Sequence, residues 1–219
     1  MQVKICGITN EEDALLAVRC GAHALGFIFY PASPRYIKPG EAKKIIEKLP
    51  HNLVTVGVFV NESAEEVKEI FVDICLDMIQ LHGDESPEYC HQFPQAQLIK
   101  AVELKNETDL RRAEGYPVAA ILVDSRHAGL YGGTSKKANW ELACRIRNKK
   151  PLILSGGLSE DNVANAIEAV APNALDINSG VESAPGKKDH AKLERIFDII
   201  RHADVEQNEG QIVFSKRGR

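Results

Sequence analysis

Short apolar runs alternate with amphipathic stretches along most of the chain. The runs are QVKIC (2–6), ALGFIFY (24–30), LVTVGVFV (53–60), DMIQLHG (77–83), QLIKAV (97–102), VAAILVD (118–124), PLILSGG (151–157) and ALDINSG (174–180). Several lack polar alternation, the pattern of strands covered on both faces of a sheet. The segments between them carry helix start signals. Asn10 precedes EEDALLAVRC, Pro39 opens GEAKKIIEKL, and Asn61 or Ser63 precedes AEEVKEIFVDI. Ser86-Pro87-Glu88 opens the next, Asn106 leads into ETDLRRA, and Ser159 is the expected cap of EDNVANAIEAV. Strand–helix alternation of this kind implies right-handed parallel crossovers. Eight units predict an α/β fold, a single-domain (β/α)8 TIM barrel over residues 1–202, with a doubly wound sheet as the alternative. Residues 203–219 lose helical periodicity and form a polar C-terminal tail, in which IVF (212–214) is the piece able to dock.

Composition narrows the function. At 219 residues and 44% hydrophobic, the chain can bury the core that a barrel needs. Its formal net charge of −4 lacks the basic footprint of a nucleic-acid binder. Small anions remain eligible ligands, because local donors rather than net charge hold them. The start lacks a signal-peptide layout, and no apolar stretch approaches the roughly 18 residues of a membrane span. A cytoplasmic protein without membrane contact is expected. The five cysteines are scattered and form no C-x-x-C pair, so neither a disulfide framework nor a metal site is expected.

In such a barrel, chemistry sits at the C-terminal strand ends and in the loops that follow. That rule selects Cys6-Gly7, Arg35, Gln80 with His82, Asp124, Gly156-Gly157, Asp176 and Ser179-Gly180. Strand parity puts Lys4 and Cys6 on one face and Val3 and Ile5 on the other. If Val3 and Ile5 pack under the helices, Cys6 points to the barrel mouth. The same parity sets Asp124 with Ala120 and Leu122, so a thiol and a carboxylate can reach one cavity. Lys4 is expected to neutralise an acid inside the barrel. Taken singly, each residue also has a plainer role: a small core cysteine, a turn-forming aspartate, a packed histidine, a surface arginine. The glycines say more. LSGGLS and INSGVE follow strands seven and eight, the recurrent phosphate site of barrels, and nominate Gly156, Gly157, Ser179 and Gly180. GLYGGTS (129–135), with Gly132 and Gly133, is long enough to act as a flexible cover.

KICGIT (4–9), GFIFYPASPRY (26–36), VGVFVN (56–61), QLHGDE (80–85), GGTS (132–135), LSGGL (154–158) and SGVESAPGKKD (179–189) occur in this order. Together they resemble the phosphoribosylanthranilate isomerase family of tryptophan biosynthesis, from residue 3 to about 200. The resemblance implies an Amadori rearrangement of the sugar phosphate N-(5-phosphoribosyl)anthranilate to 1-(2-carboxyphenylamino)-1-deoxyribulose 5-phosphate, with no cofactor. It also implies Cys6 as general base and Asp124 as general acid toward the ring oxygen. Arg35 would contact the anthranilate carboxylate, and His82 and Asp176 would line the pocket. An ordinary thiol is only about a tenth ionised near pH 7.5, so a modest downward shift would help the base. The chain departs from the family pattern at Ser135, where glycine is usual, at Ala138-Asn139 before Trp140, where an aromatic and Asp are usual, and at Asn178, where serine is usual. The alternatives are a non-catalytic sugar-phosphate-binding barrel and a barrel acting on a different substrate; Cys6 argues against the histidine-pathway isomerase, which uses two aspartates. A monomer is expected, with a homodimer as the other possibility.

Overall fold

Every apolar run becomes one strand. In the computed structural model, which describes residues 1–124, 140–203 and 211–216, the strands are β1 (Gln2–Ile5), β2 (Ala24–Ile28), β3 (Val54–Phe59), β4 (Met78–Leu81), β5 (Leu98–Val102), β6 (Ala120–Val123), β7 (Leu152–Leu154) and β8 (Ala174–Ile177). All neighbours pair in parallel, and β1 pairs with both β2 and β8, which closes the barrel. The doubly wound alternative is therefore excluded. The Gly132, Gly133 and Ser135 loop lies outside the described residues.

Among the described residues eight α-helices follow the strands: α1 (Glu11–Cys20), α2 (Pro39–Ile46), α3 (Ala64–Asp73), α4 (Pro87–Cys90), α5 (Glu107–Gly115), α6 (Trp140–Arg147), α7 (Val163–Val170) and α8 (His190–Ala203). Asn10 caps α1 by accepting from the Asp13 N–H, and Asn106 caps α5 through Thr108 and Asp109. Ser63 rather than Asn61 caps α3. Ser159 does not cap α7. Asn162 reaches back to the Ser159 N–H and the Gly157 carbonyl, which holds a turn there, and the helix begins only at Val163.

Strand parity divides the core. Val3, Ile5, Ile121, Val123, Leu175 and Ile177 pack in the layer between sheet and helices. Ala24, Val56, Met78, Ile99, Leu122 and Ala174 fill the barrel interior. Lys4 and Asp176 sit inside as register partners on β1 and β8, and Lys4 Nζ lies 2.7 Å from Asp176 Oδ1. Lys4 thus neutralises an interior acid, as its position on the strand predicts.

The end of the chain contributes to this interior. Val213 and Phe214 are buried and join the inner cluster, while Ile212 stays exposed. Gln2 at the start of β1 accepts from the N–H groups of both and donates to the Phe214 carbonyl. Lys216 pairs with the buried Asp77 at 2.8 Å. These contacts cover the N-terminal end of the barrel, away from Cys6. Phe214→Ala is expected to lower unfolding free energy by about 3 kcal/mol through lost burial and a cavity. Urea titration measures that loss, and kcat/KM should stay unchanged.

Candidate active site

The C-terminal strand ends surround one cleft, partly open to solvent. Cys6, Arg35, His82, Asp124 and Asp176 line it, together with Gly156, Gly157, Ser179 and Gly180. Of the other positions selected from the sequence, Gly7 and Gln80 do not line the cleft, and Gln80 stands behind His82.

Cys6 follows β1 directly and packs against Ile28 and Val58. Its N–H donates to the Ile177 carbonyl, and its own carbonyl accepts from Lys188 Nζ at 2.7 Å. Burial pushes the thiol above its ordinary pKa and the Asp176 charge adds to this, while Lys4 and Lys188 pull back without cancelling it. The downward shift that would favour a base is thus absent from the resting site. All five cysteines are free. Gly7 turns the chain at φ 72°, and any side chain there would meet Asn178 Oδ1 at 2.7 Å and Arg35 Cδ at 2.9 Å. The room it leaves is taken by those two rim residues.

Across the mouth, Asp124 follows β6 and its N–H donates to the Val102 carbonyl. His82 Nε2 lies 3.2 Å from Asp124 Oδ2, and Gln80 Nε2 lies 2.8 Å from His82 Nδ1. With the amide donating to Nδ1, the imidazole carries its proton on Nε2 and points it at Asp124. Buried Gln80 Oε1 has no partner among the described residues. His82 owes its place to the next residues of QLHGDE. The Glu85 carboxylate accepts from the Gly83 and Asn61 N–H groups and pairs with fully buried Lys100 at 2.9 Å. Gly83 is obligatory because a Cβ there would lie 2.2 Å from Asn61 Oδ1.

Arg35 is not a solvated surface arginine. Its Nε and Nη2 grip the Glu182 carboxylate at 2.9 and 2.7 Å. Glu182 begins a small hairpin, β9 (Glu182–Ala184) and β10 (Lys187–Lys188), that follows the barrel. Lys188 lies 3.1 Å from the same carboxylate and also donates to Asn178 Oδ1. Burial alone would raise the Glu182 pKa, but Arg35 and Lys188 together hold it below the ordinary value. Sequence reasoning assigned no role to Glu182 or Lys188. The available signal was opposite charges flanking a Pro-Gly turn, in a segment already singled out as a motif.

The glycine loops meet. Gly156 and Gly157 have φ of 90° and 69°, which side-chain-bearing residues rarely adopt. Gly180 presses against the neighbouring loop so closely that a Cβ would lie 1.8 Å from the Leu158 carbonyl oxygen. Because α7 starts late, loop backbone rather than the helix N-terminus borders the cleft here. Ser155 ties β7 to β8 through a hydrogen bond from its hydroxyl to the Asp176 carbonyl. Among the described residues, no cluster of three or more His, Cys, Asp or Glu is arranged to hold a metal.

Comparison with known proteins agrees with this geometry. The family model described as N-(5'phosphoribosyl)anthranilate (PRA) isomerase matches residues 3–199. N-(5'-phosphoribosyl)anthranilate isomerase of Syntrophus aciditrophicus is 53% identical over 200 residues, covering 91% of this chain and 87% of that protein. A crystal structure of phosphoribosyl anthranilate isomerase in complex with reduced 1-(o-carboxyphenylamino)-1-deoxyribulose 5-phosphate superposes with a TM-score of 0.82. It is 42% identical and covers 92% of this chain and 99% of its own. A structure of monomers generated from the dimeric enzyme of Thermotoga maritima has the same TM-score, 41% identity, and 92% and 99% coverage.

Proposed function

The chain belongs to the N-(5'-phosphoribosyl)anthranilate isomerase family, and from that premise we propose how its own residues perform the rearrangement. It is an isomerase of tryptophan biosynthesis. In our reading, protonated Asp124 gives its proton to the furanose oxygen, and the C1′–O bond breaks to a protonated Schiff base. The Cys6 thiolate then takes the C2′ proton, leaving an enol-amine. Loss of the 2′-hydroxyl proton and protonation at C1′ yield the aminoketose and restore both groups. The reaction consumes no proton or electron overall, so no cofactor is required by its balance.

The observation that carries this assignment is that a thiol from β1 and a carboxylate from β6 open into one cleft with two glycine loops on its rim. General acid and base must work on different atoms of one sugar, and groups on separate strands supply that separation. The loop N–H groups at Gly156, Gly157, Ser179 and Gly180 are assigned to the phosphate. Arg35, with Nη1 outside its pair with Glu182, is assigned to the anthranilate carboxylate. Asp176 lines the floor. The Gln80–His82 pair suits either state of Asp124. Turning the amide over lets Oε1 accept from Nδ1–H, and Nε2 then accepts from a protonated Asp124.

Residues 1–202 form the catalytic barrel in this account, and 203–219 an accessory segment. Cys6, Asp124 and both glycine loops come from one chain, so a monomer suffices for turnover. No helix among the described residues is long and apolar enough to cross a membrane, and we assign the enzyme to the cytoplasm. The purified protein should consume freshly made phosphoribosylanthranilate, followed by loss of its fluorescence. A folded protein that binds the compound without consuming it would support the non-catalytic alternative instead.

A further inference from the structure

We propose that Lys4 is the positioning residue that makes Cys6 a usable base: its ammonium, held beside the sulfur in a slot left open by Gly26, stabilises the thiolate as it forms. The inference rests on the assignment of Cys6 as base. Three features carry it. Lys4 is fully buried inside the barrel, where a cation persists only with partners. It shares the inner face of β1 with Cys6, two residues on, and pairs with Asp176 at 2.7 Å. Gly26 lies on the inner face of β2, beside them. A Cβ at Gly26 would meet Cys6 Sγ at 2.8 Å and Lys4 Nζ at 3.0 Å, so sulfur and ammonium converge on the space that this glycine vacates.

The electrostatics point the same way. Burial opposes the Lys4 charge, but Asp176 and then Cys6 outweigh it and keep the pKa above that of an ordinary lysine. The ammonium is therefore present at neutral pH. The charged groups facing Cys6 are Lys4 on β1, Asp176 on β8 and Lys188 on the hairpin; Tyr30 and Arg35 line the same cleft from the loop after β2, and His82 and Asp124 from the ends of β4 and β6. Of these, Lys4 gives the largest pull toward the thiolate, while Asp176 opposes it. Losing the thiol proton lets the ammonium shift its interaction from the carboxylate toward the sulfur without any side chain entering from solvent.

The pH dependence of Cys6 alkylation by iodoacetamide, read by mass spectrometry of the Cys6 peptide, tests this without any substrate. Lys4→Met should raise the midpoint by about one pH unit or more, slowing alkylation roughly tenfold at fixed pH below it. Asp176→Asn should move the midpoint down, because the opposing charge is gone and the buried ammonium, left without its carboxylate, takes the thiolate as its counter-ion. Opposite shifts from the two halves of one ion pair are not what lost packing alone produces. If Lys4→Met fails to fold by circular dichroism, Gly26→Ala keeps both groups but wedges a methyl between them, and the midpoint should again rise. An unchanged midpoint in the folded variants, or shifts of the same sign for Lys4→Met and Asp176→Asn, would overturn the role of Lys4. Such a result would leave the assignment of Cys6 intact, since that stands on turnover by Cys6→Ser.

Discussion

Cys6→Ser should lower kcat for phosphoribosylanthranilate by about 10³-fold or more, the upper range for removing a positioned acid or base, with KM changed little. Serine keeps the size of the side chain and the backbone bonds to Ile177 and Lys188. Only the proton acceptor is lost, because an alkoxide is out of reach at neutral pH. The wild-type pH profile carries a second signature of the same group. Burial holds the Cys6 thiol above its ordinary pKa, so the thiolate fraction is small at neutral pH and rises with pH. The rate of Cys6 alkylation in the wild type should therefore climb about tenfold per pH unit toward a midpoint above the ordinary thiol value. A midpoint below the ordinary thiol value would contradict the burial of this thiol in the resting site.

Asp124→Asn should lose about 10² to 10⁴ in kcat, with the barrel intact. Its backbone bond to Val102 does not involve the carboxylate, and an amide oxygen can still accept from His82 Nε2. What the amide cannot do is give a proton to the furanose oxygen. Ring opening precedes the isomerisation, so this variant should stall with closed substrate bound. Affinity for the reduced, ring-opened product analogue should stay within about threefold, because no proton moves when it binds. A stopped-flow trace with near-normal single-turnover rate would show that ring opening needs no acid here, and Asp124 would then be a partner of His82 only.

Much of this arrangement is legible in the sequence, because parity is a strong constraint on a strand with two packed faces. Val3 and Ile5 pack under helices, which leaves Lys4 and Cys6 no direction but inward. Ala120 and Leu122 fix Asp124 in the same way. The glycine loops are legible because only glycine takes the backbone angles found at 156 and 157 at little cost. Contacts between residues far apart in the chain are not legible. The grip of Glu182 on Arg35 spans 147 positions and the docking of Phe214 on Gln2 spans 212. The Ser159 cap fails for a local reason with the same lesson: Asn162 competes for the turn, and the helix yields its first residues. The basicity of Cys6 depends on the balance of burial against Lys4, which no motif encodes.

In the proposed mechanism, Cys6 and Asp124 act on opposite parts of one sugar whose phosphate rests on the glycine loops. A crystal structure of this protein with the reduced product analogue tests it most directly. The analogue's C2′ should lie within about 4 Å of Cys6 Sγ, and its 4′-hydroxyl, formed from the ring oxygen, within about 3.2 Å of an Asp124 carboxylate oxygen. The phosphate should accept from the N–H groups around Gly156–Gly157 and Ser179–Gly180. A ligand whose phosphate lies against Arg35 instead, with its C2′ turned away from Cys6, would contradict the account.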